Sequence, residues 1–193
     1  MRRLCVFCGS SAGSDPRYAR GAAELGRLLV SRGLGLVFGG GSVGLMGVVA
    51  DAVLAAGGHV VGVIPHALAA RELAHRQVKD MRVVPSMHAR KALMAELSDG
   101  FVALPGGLGT FEELLEIATW SQLGIHRKPV GVLNVAGYYD PLAALLDHAV
   151  QEGFVSAANR ALVRVAETPE ALIDDLLSFR PPPGPEWVRP EES

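Results

Sequence analysis

Short apolar runs alternate along the whole chain with stretches whose apolar positions recur three and four residues apart. The runs fall at residues 4–8, 34–38, 59–64, 81–84, 101–104, 130–134 and 162–165. Their length, β-branched content and glycine or proline boundaries predict seven buried strands. Between them, residues 16–31, 43–56, 87–97, 110–123, 141–152 and 169–178 have the spacing of helices with one apolar face. Strand and helix alternating throughout, with right-handed crossovers, predict an α/β protein with a Rossmann-like, doubly wound parallel sheet. No repeat and no linker interrupts residues 1–179, which read as one domain. Residues 180–193 hold Pro181, Pro182, Pro183, Pro185 and Pro190 and are expected to be a flexible tail.

Composition narrows the function by exclusion. With 18 basic and 20 acidic side chains and a net charge of -2, the chain has no field to hold a nucleic acid polymer. The longest apolar stretches break before the roughly 18 residues needed to span a bilayer. The run after Met1-Arg2-Arg3 ends at Cys8-Gly9-Ser10 and is no signal-peptide core, so the expected location is the cytoplasm. Only two cysteines are present, Cys5 and Cys8, and a separation of three on a strand points them to opposite faces. A reduced, structural pair is therefore expected. Glycine is the informative excess, 23 of 193 residues against an average usage of about 7%.

Those glycines gather where a parallel sheet binds its ligands, in loops that follow strands at their carboxyl ends. The first such loop is Cys8-Gly9-Ser10-Ser11-Ala12-Gly13-Ser14 and the second runs from Gly39 to Gly47 as GGGSVGLMG. The third, after the fifth strand, is Pro105-Gly106-Gly107-Leu108-Gly109-Thr110. Bare backbone lets N–H groups approach an anion, and helix N-termini favour negative charge, so this edge is expected to take a phosphorylated ligand. Ser10, Ser11, Gly41 and Gly44 are candidate contacts. Residues 39–44 match G-x-G-x-x-G, yet the next strand ends in Ile64-Pro65 without the acidic residue that holds a dinucleotide's ribose. The lysine-bearing loop of triphosphate-cleaving enzymes and the spacings of zinc ligands are also missing, so neither a redox cofactor nor a metal is expected.

Two groups of charge stand out. Arg90 lies on a helical stripe with Met87, Met94 and Leu97, where a cation needs an anion; a structural ion pair, a ligand phosphate and a catalytic carboxylate all remain open, with Lys91 beside it. Glu112, Glu113 and Glu116 open the helix after the third glycine loop. Thr110-Phe111-Glu112-Glu113 has the form of a capping box, which would turn the Glu113 carboxylate back onto the Thr110 N–H. Alternatively, a carboxylate beside bound phosphate could favour a cationic centre or orient water. The leading chemistry is then cleavage of the N-glycosidic bond of a nucleoside 5′-monophosphate, in which the ribose gains oxocarbenium character.

The sequence resembles the LOG (Lonely Guy) phosphoribohydrolases, which release cytokinin bases from riboside 5′-monophosphates. Residues 105–113 fit the family's P-G-G-x-G-T-x-x-E. Residues 5–11 resemble its first strand and loop, 39–47 its G-G-G-x-x-G-L-M-G, and 87–91 its M-H-x-R-K. Residues 120–139 resemble its W-x-Q-L-G-I-H, K-P-V-G and N-x-x-G-Y-Y. The resemblance covers about residues 4–150. It implies Arg90 and Glu113 as the catalytic pair, with Gly107, Leu108, Gly109, Thr110, Phe111 and Glu112 around phosphate and ribose. It further implies contributions from Lys91, Thr119 and Glu72, a nucleoside 5′-monophosphate as substrate, no cofactor, and a homo-oligomer with sites near the subunit interface.

A carrier that binds a phosphorylated cofactor or nucleotide without cleaving it is the alternative on the same fold. A pyridoxal-dependent lysine decarboxylase would need a buried Schiff-base lysine. The candidates are Lys79, Lys91 and Lys128, and neither Lys91 nor Lys128 is expected to face a pocket.

Overall fold

The computed structural model describes residues 1–69 and 73–181. Seven strands form one parallel sheet in the order β4-β3-β2-β1-β5-β6-β7. They are β1 (Arg3–Phe7), β2 (Gly35–Phe38), β3 (Val60–Pro65), β4 (Asp80–Val84), β5 (Gly100–Ala103), β6 (Val130–Leu133) and β7 (Val163–Ala166). The helices are α1 (Pro16–Ser31), α2 (Gly44–Ala55), α3 (His66–Ala69), α4 (Met87–Glu96), α5 (Leu108–Leu123), α6 (Asp140–Gln151), α7 (Ala157–Arg160) and α8 (Pro169–Ser178). The expected strands and long helices are each found within two residues of their predicted ends. The doubly wound reading is borne out. Of the tail expected over 180–193, residues 182–193 lie outside the described residues.

Alternation along β1 shows why the chain forms three layers. Leu4, Val6 and Cys8 face one apolar cluster with Leu25 and Leu29 of α1, Val49 and Val53 of α2, and Ile173 of α8. Cys5 and Phe7 face the opposite cluster with Met94 of α4, Leu114 and Ile117 of α5, and partly buried Leu142 and Leu146 of α6. Both faces of the sheet are covered, as a parallel sheet requires. The two cysteines are free and buried in different layers.

Helix starts follow local chemistry. Asp15, Ser86 and Thr168 cap α1, α4 and α8 by accepting from the backbone N–H of Arg17, Ala89 and Ala171. The α5 helix differs: its N-cap is Gly107, with no side-chain cap, and Thr110 already lies inside its first turn. A capping box starting at Thr110 therefore does not form, and that alternative for Glu113 is corrected.

The chain runs outward from β1 through β2 and β3 to β4, then returns to place β5 on the other side of β1. This reversal puts the loops after β1, β2 and β5 side by side at the sheet's carboxyl edge, where open α/β sheets bind ligands.

Candidate active site

Main-chain hydrogen bonds lace the three loops together. The Gly9 N–H donates to the Pro105 carbonyl and the Leu45 N–H donates to the Gly9 carbonyl, each at 3.0 Å. Gly44 is needed at this junction. Its φ is +61°, and a Cβ there would fall 2.3 Å from the Ser10 carbonyl carbon.

A cleft of about 400 Å³ opens over this edge. Ser10, Gly41, Gly107, Leu108, Gly109, Thr110, Glu112, Glu113 and Arg90 line it. The first N–H groups of α5 have no acceptor within their own helix, and the exposed Gly107, Leu108 and Gly109 leave them open to an anion.

Arg90 and Glu113 meet inside this cleft. Both are buried, and Arg90 Nη2 lies 3.5 Å from Glu113 Oε1. Gly39 makes room for the guanidinium, because a Cβ at that position would sit 1.8 Å from Nη2. Arg90 Nε is buried without a hydrogen-bond partner among the described residues, leaving one donor available in the cleft wall. Burial pushes the Glu113 carboxyl up to about 7, and the Arg90 charge opposite pulls it back toward ionisation. The group is thus poised near neutrality, able to accept a proton or to face a developing positive charge.

The remaining predicted residues fall elsewhere. Lys91 turns away from the cleft and hydrogen-bonds to Glu112 and, at 3.0 Å, to Glu116. Burial works against its charge, but the two carboxylates outweigh that effect and raise its pKa. Glu113 and Glu116 therefore do not act as a pair: one faces Arg90, the other Lys91. Phe111 is half-buried beside Tyr138, with ring centroids 6.4 Å apart. The Thr119 hydroxyl donates to the Leu115 carbonyl at 2.7 Å, two turns down α5 from the cleft. Ser11 is exposed beside the junction, and Glu72 lies outside the described residues.

The cleft also has an apolar wall that sequence reasoning did not find, made of Val43, Met46, Ile64, Leu68, Leu73 and Met87. These residues come from four separate segments of the chain, so no single local pattern joins them. The Ser42 N–H donates to the Leu73 carbonyl at 2.9 Å and Gly41 bridges to Ala74, which docks this wall onto the second glycine loop.

Lys91 and Lys128 do face a cavity, contrary to expectation. It measures about 660 Å³, lies between α4 and α5, and is bounded by Trp120 and Ile125. Pyridoxal phosphate nevertheless does not fit. No lysine lines the glycine-edged cleft, Lys91 is held by two carboxylates, and the Lys128 ammonium donates to the Ala95 carbonyl at 2.8 Å.

Together these features define a Rossmann-like α/β protein with three glycine-rich loops and a buried Arg90–Glu113 ion pair at its switch point. A family model described as possible lysine decarboxylase matches residues 46–176. A probable cytokinin riboside 5′-monophosphate phosphoribohydrolase of Oryza sativa subsp. japonica is 57% identical over 183 residues, which is 95% of this chain and 74% of that protein. A cytokinin riboside 5′-monophosphate phosphoribohydrolase of Arabidopsis thaliana is 54% identical over 181 residues, 94% of this chain and 84% of that protein. The chain belongs to the LOG family. Among solved structures, the molybdenum cofactor carrier protein of Chlamydomonas reinhardtii shares the fold with a TM-score of 0.69 and 24% identity, over 92% of this chain and 99% of that chain. Among the described residues, no helix is long and apolar enough to cross a membrane.

Proposed function

We propose that the protein hydrolyses the N-glycosidic bond of N6-substituted adenosine 5′-monophosphates, or of AMP itself, releasing the free base and ribose 5-phosphate. The observation that carries this reading is the buried Glu113–Arg90 pair placed beside the unpaired N–H groups of α5. The names of the relatives, at more than half identity over nearly the whole chain, support it.

The N–H groups of Gly107, Leu108 and Gly109 hold the 5′-phosphate, assisted by the dipole of α5 and the Ser10 hydroxyl. The ribose then lies toward Glu113 and the base toward the apolar wall. As the C1′–N9 bond breaks, its electron pair leaves on the base and positive charge spreads over C1′ and the ring oxygen. The Glu113 carboxylate favours that charge electrostatically and accepts a proton from the attacking water, whose oxygen bonds to C1′. That proton passes to the departing base or to solvent. Arg90 keeps Glu113 ionised enough to act.

We place this activity in the cytoplasm, in line with two buried free thiols, and in a homo-oligomer of two or more subunits. Leu108 is 87% exposed at the cleft mouth and is apolar surface that a partner subunit would cover.

Purified protein incubated with N6-isopentenyl-AMP and with AMP, each in the presence of EDTA, tests the reading by mass spectrometry. Free base and ribose 5-phosphate in equal amounts are expected. Tight binding without turnover would instead favour the carrier, although such a protein has no use for a buried carboxyl poised near neutrality.

A further inference from the structure

The Asn134-to-Tyr139 motif lies away from Glu113 and Arg90, yet it is built with unusual care. After β6 the chain makes a tight 3₁₀ turn over Val135–Gly137 before α6. Ala136 and Gly137 both take left-handed conformations, with φ of 57° and 74°, a state an alanine holds only where its surroundings impose it. Asn134 closes the turn from inside. Its Nδ2 donates to Asp140 Oδ1 and its Oδ1 accepts from the Tyr139 N–H, both at 2.7 Å.

The result of this bend is that two consecutive tyrosines reach the same strand of loop. The Tyr139 hydroxyl donates to the Leu104 carbonyl at 2.7 Å, and the Tyr138 hydroxyl donates to the Gly106 carbonyl. The carbonyl between them, that of Pro105, accepts from the Gly9 N–H. Three successive carbonyls are thus held from three directions. The Tyr138 ring is itself confined by Tyr18, Phe111 and Tyr139, with centroids 5.6, 6.4 and 5.1 Å away.

We propose that Tyr138 is a positioning residue for the phosphate cradle: its grip on the Gly106 carbonyl sets the direction in which the Gly107 N–H faces the cleft. The peptide joining Gly106 to Gly107 is a rigid trans plane, so drawing its C=O toward Tyr138 turns its N–H the opposite way. Around Gly107 itself a side chain would begin in open space, with no atom within 4 Å, whereas Gly106 packs against Thr110 and Gly9, so the Tyr138 hydroxyl acts at the packed end of a peptide whose other end is open. The glycines that let the backbone approach an anion leave the loop free to turn, and the tyrosine restores the lost constraint. This inference rests on the proposed use of the loop to hold a phosphate.

Tyr138→Phe removes one oxygen and keeps the aromatic cluster. Ribose 5-phosphate affinity by titration calorimetry, kcat and KM with N6-isopentenyl-AMP, and the melting temperature are measured for the wild type, Tyr138→Phe and Tyr139→Phe. For Tyr138→Phe, Kd and KM rise about three- to tenfold, the scale of one hydrogen bond, while kcat at saturation stays near the wild-type value. Tyr139→Phe, acting on a carbonyl two peptides upstream, lowers the melting temperature with less loss of affinity. A Tyr138→Phe protein with wild-type Kd and KM overturns the proposal, whatever its melting temperature. Wild-type protein that binds ribose 5-phosphate but cleaves no nucleotide defeats the hydrolase reading alone, and the Kd comparison still decides the role of Tyr138. Wild-type protein that does not bind ribose 5-phosphate defeats both.

Discussion

Glu113 and Arg90 each have a structural cost that only the other, or a ligand, offsets. Replacing Glu113 with Gln keeps the shape and removes the charge, so kcat should fall by about 10²- to 10⁴-fold, the usual share of a general base, with KM nearly unchanged. Steady-state kinetics checks this. Arg90→Ala leaves the carboxyl buried without its counter-charge, a loss of about 3–5 kcal/mol for a fully buried pair if the acid stayed ionised. The acid is expected to take up a proton instead, so the acidic limb of the kcat profile should move to higher pH. Both residues were legible in the sequence, Arg90 as a cation on an apolar stripe and Glu113 from its place after the glycines. Their partnership was carried by the family resemblance alone and not by local spacing, because the ion pair spans two helices. The partners of Lys91 were hidden for the same reason: its two carboxylates sit one turn apart on α5, and nothing near residue 91 announces them.

At the scale of elements, the long strands and helices could be read because each repeats its period several times. The short α3, the 3₁₀ turn and α7 went unpredicted, as three or four residues carry no period. The start of α5 was placed two residues late because Gly107-Leu108-Gly109 reads as loop. Helical backbone is tolerated there since Gly107, Leu108 and Gly109 are exposed, which leaves the first N–H groups of the helix open to solvent. The junction of loops is less tolerant. At Gly44, alanine meets both a positive φ and the Ser10 backbone. Gly44→Ala should therefore destabilise the fold by about 1–3 kcal/mol from strain alone, measurable by denaturant unfolding, and should weaken phosphate binding as the loops part.

Across the whole molecule, the buried acid ties stability to pH in an unusual direction. Glu113 has a folded pKa of about 7, above the ordinary 4.5 of a glutamate. Between those values the folded chain binds more protons than the unfolded one, so this group's contribution declines as pH rises through that window. The melting temperature of Glu113→Gln relative to wild type should thus increase from pH 5 to pH 8. Catalysis runs the other way, needing the ionised form, and kcat/KM of the wild type should drop about tenfold per pH unit below an apparent pKa near 7. For this one group, the pH that favours activity is not the pH that favours stability.

The lacing of the three loops has one more consequence. Because Gly9, Leu45 and Pro105 join through amide and carbonyl groups alone, the joining of these loops to one another is written in the spacing of the chain more than in the identity of its side chains. Residues on the apolar wall can be exchanged for others, retuning which base is accepted, without loosening that junction. Adding or deleting a single residue in any of the three turns would break it at once.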